Sequence, residues 1–290
     1  MYRSKNSDIN YCLTGAIIGD IAASRLEYYD PERADPSGIH LFSRQCDFTD
    51  GTILNLATKM AIDSKYEISF TMAYSMLTRI YADMEFGDLF KRWAFSGDKE
   101  PYHSWGSGAP MRIAYIGDCA KSLKEARKLA KRSAICTHDS PEALEATDIF
   151  VQCVWMLRHA YDRADVIRFA KKKYKMSKTY EDFVEDDKAF VDARNNVTLA
   201  LRCFEKGKTY MDCMRAMFSV RCDRSSVGTM VGALTGAYYK SFPPYALRKM
   251  LWTVPRQLLV IWDKRPEELV DIELGLRQPI YPPVRKSKGE

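Results

Sequence analysis

"RCDRSSVGTMVGALTGAYY", residues 221–239, carries apolar residues at helical spacing from about 226 to 240, with Gly228, Gly232 and Gly236 falling four apart on one face. Glycine is the poorest helix former after proline, so three of them inside one helix cost roughly 2 to 3 kcal/mol of propensity. A compensating contact is therefore expected, and a smooth stripe offers one: a second helix can bring its backbone close. A membrane dimerisation stripe is the other reading. It is disfavoured because the apolar run is short and bounded by Arg224 and Lys240. Asp223, directly before the helix, reads first as an N-cap whose carboxylate accepts from the unsatisfied N–H groups of the first turn.

A second stripe of the same kind stands near the start of the chain. In "TGAIIGDIAAS", residues 14–24, Gly15, Gly19 and Ala23 are again four apart. Helical spacing recurs over 12–25, 51–63, 68–82, 121–135, 141–160, 163–173, 190–205, 209–220 and 244–251, while alternating strand-like stretches are nearly absent. "SPEALEAT" adds a start signal, with Ser140 as N-cap and Pro141 in the first helical position. The class is all-α, with the two striped helices packed at its centre. The organisation read from the chain is an N-terminal extension over 1–10, one compact helical domain over 11–250 and a C-terminal extension over 251–290. The apolar "WTVPRQLLVIW" opens that extension and could cover the domain or meet a partner; its last residues, "PPVRKSKGE", are polar and proline-rich.

Bulk properties narrow the classes further. A hydrophobic share of 46% in 290 residues allows a sizeable core and makes disorder the wrong default. The net charge of +6 is modest, and "RKLAKR" and "AKKKYK" read as solvated helix faces without the aromatic interleaving of a single-strand binder, so no sequence-specific nucleic-acid binding is expected. No apolar run reaches bilayer length and no signal-peptide core stands at the start, so no membrane role is expected either. Eight cysteines, never paired as Cys-x-x-Cys, read as reduced packing thiols of a cytoplasmic protein. Cys46 and Cys222 lie beside acidic turns, which would raise a thiol's pKa rather than activate it.

"CDFTDGTILNLA", residues 46–57, repeats the arrangement at 221–239: an acidic turn, Thr49 and Asp50, runs into a helix. Gly51 at the first turn is unexpected in such a place. Taken together, five stretches resemble the ADP-ribosylhydrolase family, which includes the glycohydrolase that reactivates dinitrogenase reductase. They are "GAIIGDIAASRLE" (15–27), "FTDGT" (48–52), "PYHSWGSGAPMRIAYIG" (101–117), "THDSPEALEAT" (137–147) and the stretch at 221–239. The resemblance runs from about residue 11 to 245 in the family's order and spacing.

The resemblance implies a compact orthogonal helical bundle that holds magnesium between the two acidic turns and cleaves ADP-ribose from a protein side chain or another acceptor. Carried onto this sequence, it implies Thr49, Asp50, Asp223 and Ser226 as metal ligands, with manganese an alternative ion, and Glu27 and Asp50 as the carboxylates at the scissile bond. It implies Trp105 against the adenine, Ser104, Ser107 and Gly108 along the diphosphate and ribose, and His138 in contact with the substrate. Gly51 and Ser225 stand where the family has its second aspartate in each turn, and Arg224 adds a cation between the survivors. Three carboxylates suit one magnesium ion better than two.

Three functions follow as expectations. The first is hydrolysis of an ADP-ribose glycosidic linkage on one remaining magnesium ion, with ADP-ribose or an ADP-ribosylated macromolecule as partner and a monomeric chain. The second is an ADP-ribose-binding pseudoenzyme. The third is inert structural reuse of the fold.

Overall fold

The computed structural model describes residues 10–25, 38–65, 67–186 and 190–263. They form helices and turns without a strand; two isolated bridges, Gly106 with Asp192 and Phe190 with Cys222, are the extended pairings among the described residues. The chain is all-α.

At the centre lie α1 (Tyr11–Ser24) and α13 (Arg224–Tyr239), side by side. The glycine stripes face each other: a Cβ on Gly15 would run into the carbonyl oxygen of Gly232 and lie 3.0 Å from the Gly236 Cα, and one on Gly19 would run into the Gly228 carbonyl and lie 3.0 Å from the Gly232 Cα. Backbone touches backbone, and the dispersion gained along this seam offsets the helix propensity that glycine lacks. Every residue of α1 from Tyr11 to Ala23 is buried. The start of α1 is held by the buried Asp118, whose carboxylate accepts from the Cys12 N–H at 3.1 Å and the Leu13 N–H at 2.9 Å and is paired with Arg158 at 3.1 Å.

Around this pair pack α2 (Asp50–Asp63), α8 (Pro141–Arg158) and α11 (Ala193–Lys206), with α3 (Phe70–Ile80) and α7 (Leu123–Ala134) outside them. Local chemistry sets the ends. Thr49 caps α2, Ser122 caps α7, Ser140 caps α8 ahead of Pro141, and Asp223 caps α13, each side chain accepting a first-turn N–H. Lys240 closes α13 in the left-handed region at φ 49°.

Helical spacing anticipates most of these elements and misses the short ones. α4 (Asp88–Phe95), α5 (Gly108–Met111), α6 (Ala114–Cys119) and α10 (Tyr180–Glu185) are each shorter than the stretch of about 11 residues over which helical periodicity is read. The stretch 209–220 is α12 (Tyr210–Ala216) followed by a separate 3₁₀ turn at Met217–Ser219. After α14 (Pro244–Thr253), α15 (Arg256–Trp262) buries Leu258, Leu259 and Trp262, and the Trp262 indole donates to Thr14 Oγ1 at 2.9 Å. The apolar start of the C-terminal extension therefore covers the central helix. Six of the eight cysteines are buried, Cys119 and Cys136 partly so, and all are free thiols.

Candidate functional site

Two acidic turns far apart in sequence open on one cleft of about 380 Å³, whose walls include Asp50, Asp223, Ser226, Ser107 and His138. That volume falls in the range of small-ligand sites. The convergence follows from the core: Asp223 heads α13, the turn before α2 is fastened to α1, and α1 and α13 are locked by their glycines.

The fastening residue is Asp20, which is fully buried in α1. Its carboxylate accepts from the Thr49 N–H at 2.8 Å, the Thr52 N–H at 3.0 Å, the Thr52 hydroxyl at 2.6 Å and the Thr49 hydroxyl. Burial pushes its pKa up to about 6, against the pull of those hydrogen bonds. The sequence offered one signal of this role, a lone carboxylate on an otherwise small and apolar helix, which must find donors if it is buried.

Asp20 also explains Gly51. A Cβ at position 51 would stand 2.5 Å from Thr229 Oγ1 and 3.0 Å from Asp20 Oδ1, so the space a second aspartate would need is taken. Asp223 is engaged on both oxygens: Oδ1 accepts from the Ser226 N–H at 3.1 Å and the Ser225 hydroxyl at 3.2 Å, and Oδ2 from the Ser107 hydroxyl at 3.0 Å. Ser225 thus supports the surviving carboxylate from the place where a partner carboxylate was expected.

The remaining residues singled out from the sequence divide. Ser104, Gly108 and His138 line the cleft with Asp50 and Asp223; Ser226 does too, but its hydroxyl donates to the Met111 sulfur at 3.2 Å. Thr49 is not among the lining residues, and its hydroxyl turns to Asp20. Trp105 also lies outside the lining; it is half exposed, and its carbonyl accepts from the Ala193 N–H at 3.0 Å. Arg224, expected as a cation in the ring, is not part of the lining either; it is buried and donates back to the Val220 carbonyl at 3.3 Å. Glu27 lies outside the described residues.

At the back wall of the cleft stand groups to which the sequence assigned no role. Arg112 lines it, fully buried and with no carboxylate partner among the described residues, its guanidinium stacked 4.1 Å over the Tyr74 ring and donating to the Ser133 carbonyl at 2.6 Å and to Thr137 Oγ1 at 3.0 Å. Thr137 Oγ1 in turn is 2.7 Å from His138 Nδ1. Burial first, and the Arg112 charge second, hold the His138 imidazole well below its ordinary pKa, so it is neutral near pH 7. Both stand in stretches quoted from the sequence, Arg112 in 101–117 and Thr137 in 137–147, but their meeting is visible only in the fold.

The divalent centre implied by the resemblance can be tested against this donor set. Among the described residues no three His, Cys, Asp or Glu side chains cluster as a metal would need. Two carboxylates with water can hold one magnesium ion, since that ion retains much of its hydration. At position 51 there is no carboxylate for a second ion and, as the neighbours are packed, no room for one.

Comparison with known proteins agrees with the architecture. A solved structure titled "ADP-ribosylglycohydrolase-related protein complex" superposes with a TM-score of 0.68 at 18% identity, over 89% of this chain and 97% of the other. That likeness is one of fold. No curated protein sequence matches. The sequence profile of the ADP-ribosylglycohydrolase family matches residues 3–269, nearly the whole chain. The chain belongs to the ADP-ribosylglycohydrolase family.

Proposed function

We propose that the cleft binds an ADP-ribosyl group and hydrolyses its glycosidic bond, with one magnesium ion held by Asp50 and Asp223. The observation that carries this reading is the meeting of those two carboxylates, from separate helix N-termini, in one cleft with His138. When bound, the ion would polarise the ribose hydroxyls and lower the pKa of a water. Asp50 would orient the attacking water and take up its proton as the water oxygen bonds to C1″ and the C1″–acceptor bond breaks, the departing acceptor being protonated in turn. The turn from Ser104 to Gly108 would hold the diphosphate and ribose through its hydroxyls and backbone. Glycine at 108 leaves room for such a group, because a Cβ there would stand 3.2 Å from His138 Nε2.

Release of ADP-ribose from ADP-ribosylated arginine, serine and DNA substrates, with magnesium and with EDTA, tests the reading. Turnover with magnesium that is lost in Asp50→Asn and Asp223→Asn supports it. Magnesium should also raise the melting temperature, and manganese should bind at one ion per chain.

A second reading, ADP-ribose capture without turnover, is favoured by one specific observation: both Asp223 oxygens already accept hydrogen bonds from the protein. Tight ADP-ribose binding in EDTA, with no turnover on any of the substrates, would select it.

A further inference from the structure

Arg112 and His138 line the cleft, and Thr137 bridges them. Arg112 Nη2 can only donate, and it donates to Thr137 Oγ1 at 3.0 Å. Thr137 Oγ1 and His138 Nδ1 are 2.7 Å apart, so one proton lies between them and its ownership decides which face of the imidazole is the donor. The bare nitrogen is the negative end of the neutral ring. Turned toward a guanidinium it is stabilised; an N–H turned that way is not.

We propose that Arg112 and Thr137 are positioning residues that fix His138 in the Nε2–H tautomer, making it a hydrogen-bond donor aimed at an oxygen acceptor of the bound ADP-ribosyl group. The ring is placed for this. Its edge packs on Tyr102 with centroids 5.9 Å apart, and Nε2 faces the Gly106–Gly108 turn at the wall of the cleft. Among the described residues the buried arginine meets no carboxylate, and through Thr137 it biases a neutral histidine two links away. The inference rests on the proposed ADP-ribosyl site for its ligand, but the tautomer itself is a property of the free protein.

The test separates the two. Long-range ¹H–¹⁵N correlation spectra of the free, labelled protein near pH 7.5, with the His138 signals assigned by their loss in His138→Gln, should show the Nε2–H pattern. An Nδ1–H pattern there overturns the proposal. Thr137→Val should shift the pattern toward Nδ1–H and weaken ADP-ribose binding by about tenfold in calorimetry. Thr137→Ser, which keeps the hydroxyl, should preserve both. An unchanged tautomer in a folded Thr137→Val also overturns the proposal. Should Thr137→Val fail to fold, the wild-type spectrum with Thr137→Ser still decides. A wild-type protein with the Nε2–H pattern and no affinity for ADP-ribose would sink the ADP-ribosyl reading and leave the tautomer assignment standing.

Discussion

Gly51 and Asp20 compete for one space: a Cβ on Gly51 would lie 3.0 Å from Asp20 Oδ1, and Thr229 closes the same space from α13 at 2.5 Å. The absent carboxylate at position 51 is thus accommodated by its neighbours. Gly51→Asp combined with Ser225→Asp should therefore destabilise the chain by about 1 to 3 kcal/mol through overpacking, visible as a lower melting temperature. Adding Thr229→Ala removes the nearest obstacle, and only this triple variant should bind a second magnesium equivalent in titration calorimetry. If the double variant melts like the wild type and already takes up two ions, the space at position 51 was open after all.

The seam between α1 and α13 predicts a much larger effect. Gly232→Ala would drive a methyl into the Gly15 carbonyl, with the Gly19 Cα 2.9 Å away. Backbone cannot rotate aside as a side chain can, so the loss should reach about 3 kcal/mol or more. Chemical denaturation would read it, and a wild-type midpoint would contradict the packing described.

Asp223 serves as both helix cap and candidate ligand, and two substitutions separate these roles. Asp223→Ser keeps a capping oxygen and should melt close to the wild type, whereas Asp223→Ala should lose about 1 kcal/mol from the start of α13. Both should abolish any magnesium-induced rise in melting temperature. A response that persists in Asp223→Ser would remove this carboxylate from the ion site.

His138 should leave a signature in the acid range. Its folded pKa lies well below 6.5, so below that pH the unfolded chain binds a proton that the folded chain refuses. Stability from this group is complete above about pH 6.5 and falls as the pH drops toward the folded pKa, by up to about 1.4 kcal/mol per pH unit. Melting curves between pH 7.5 and 5 should show this slope reduced in His138→Gln. An equal slope in the two proteins would mean that the ring is protonated in place.

The helical class and the central pair were legible because Gly15, Gly19, Gly228, Gly232 and Gly236 repeat at one helical period, and a repeated cost implies a repeated contact. The cleft was legible at Asp50 and Asp223 only through the resemblance of the two acidic turns to a family's motifs, since taken alone each turn reads as the start of a helix. The roles of Asp20, Arg112 and Thr137 were not, although all three stand inside the quoted motifs. Each acts through atoms distant in the chain, and nothing in local spacing tells a buried carboxylate with four donors from one at a surface. Trp105 is half exposed between the lining residues Ser104 and Gly106, and its carbonyl docks onto the start of α11.

The glycine seam carries one consequence beyond stability. Because the turn bearing Asp50 hangs on α1 and Asp223 hangs on α13, the gap between the two acids is gauged by main-chain atoms rather than by whichever side chains occupy the mouth. A change of side chain at the mouth therefore alters the chemistry of the jaw and leaves its span as it is.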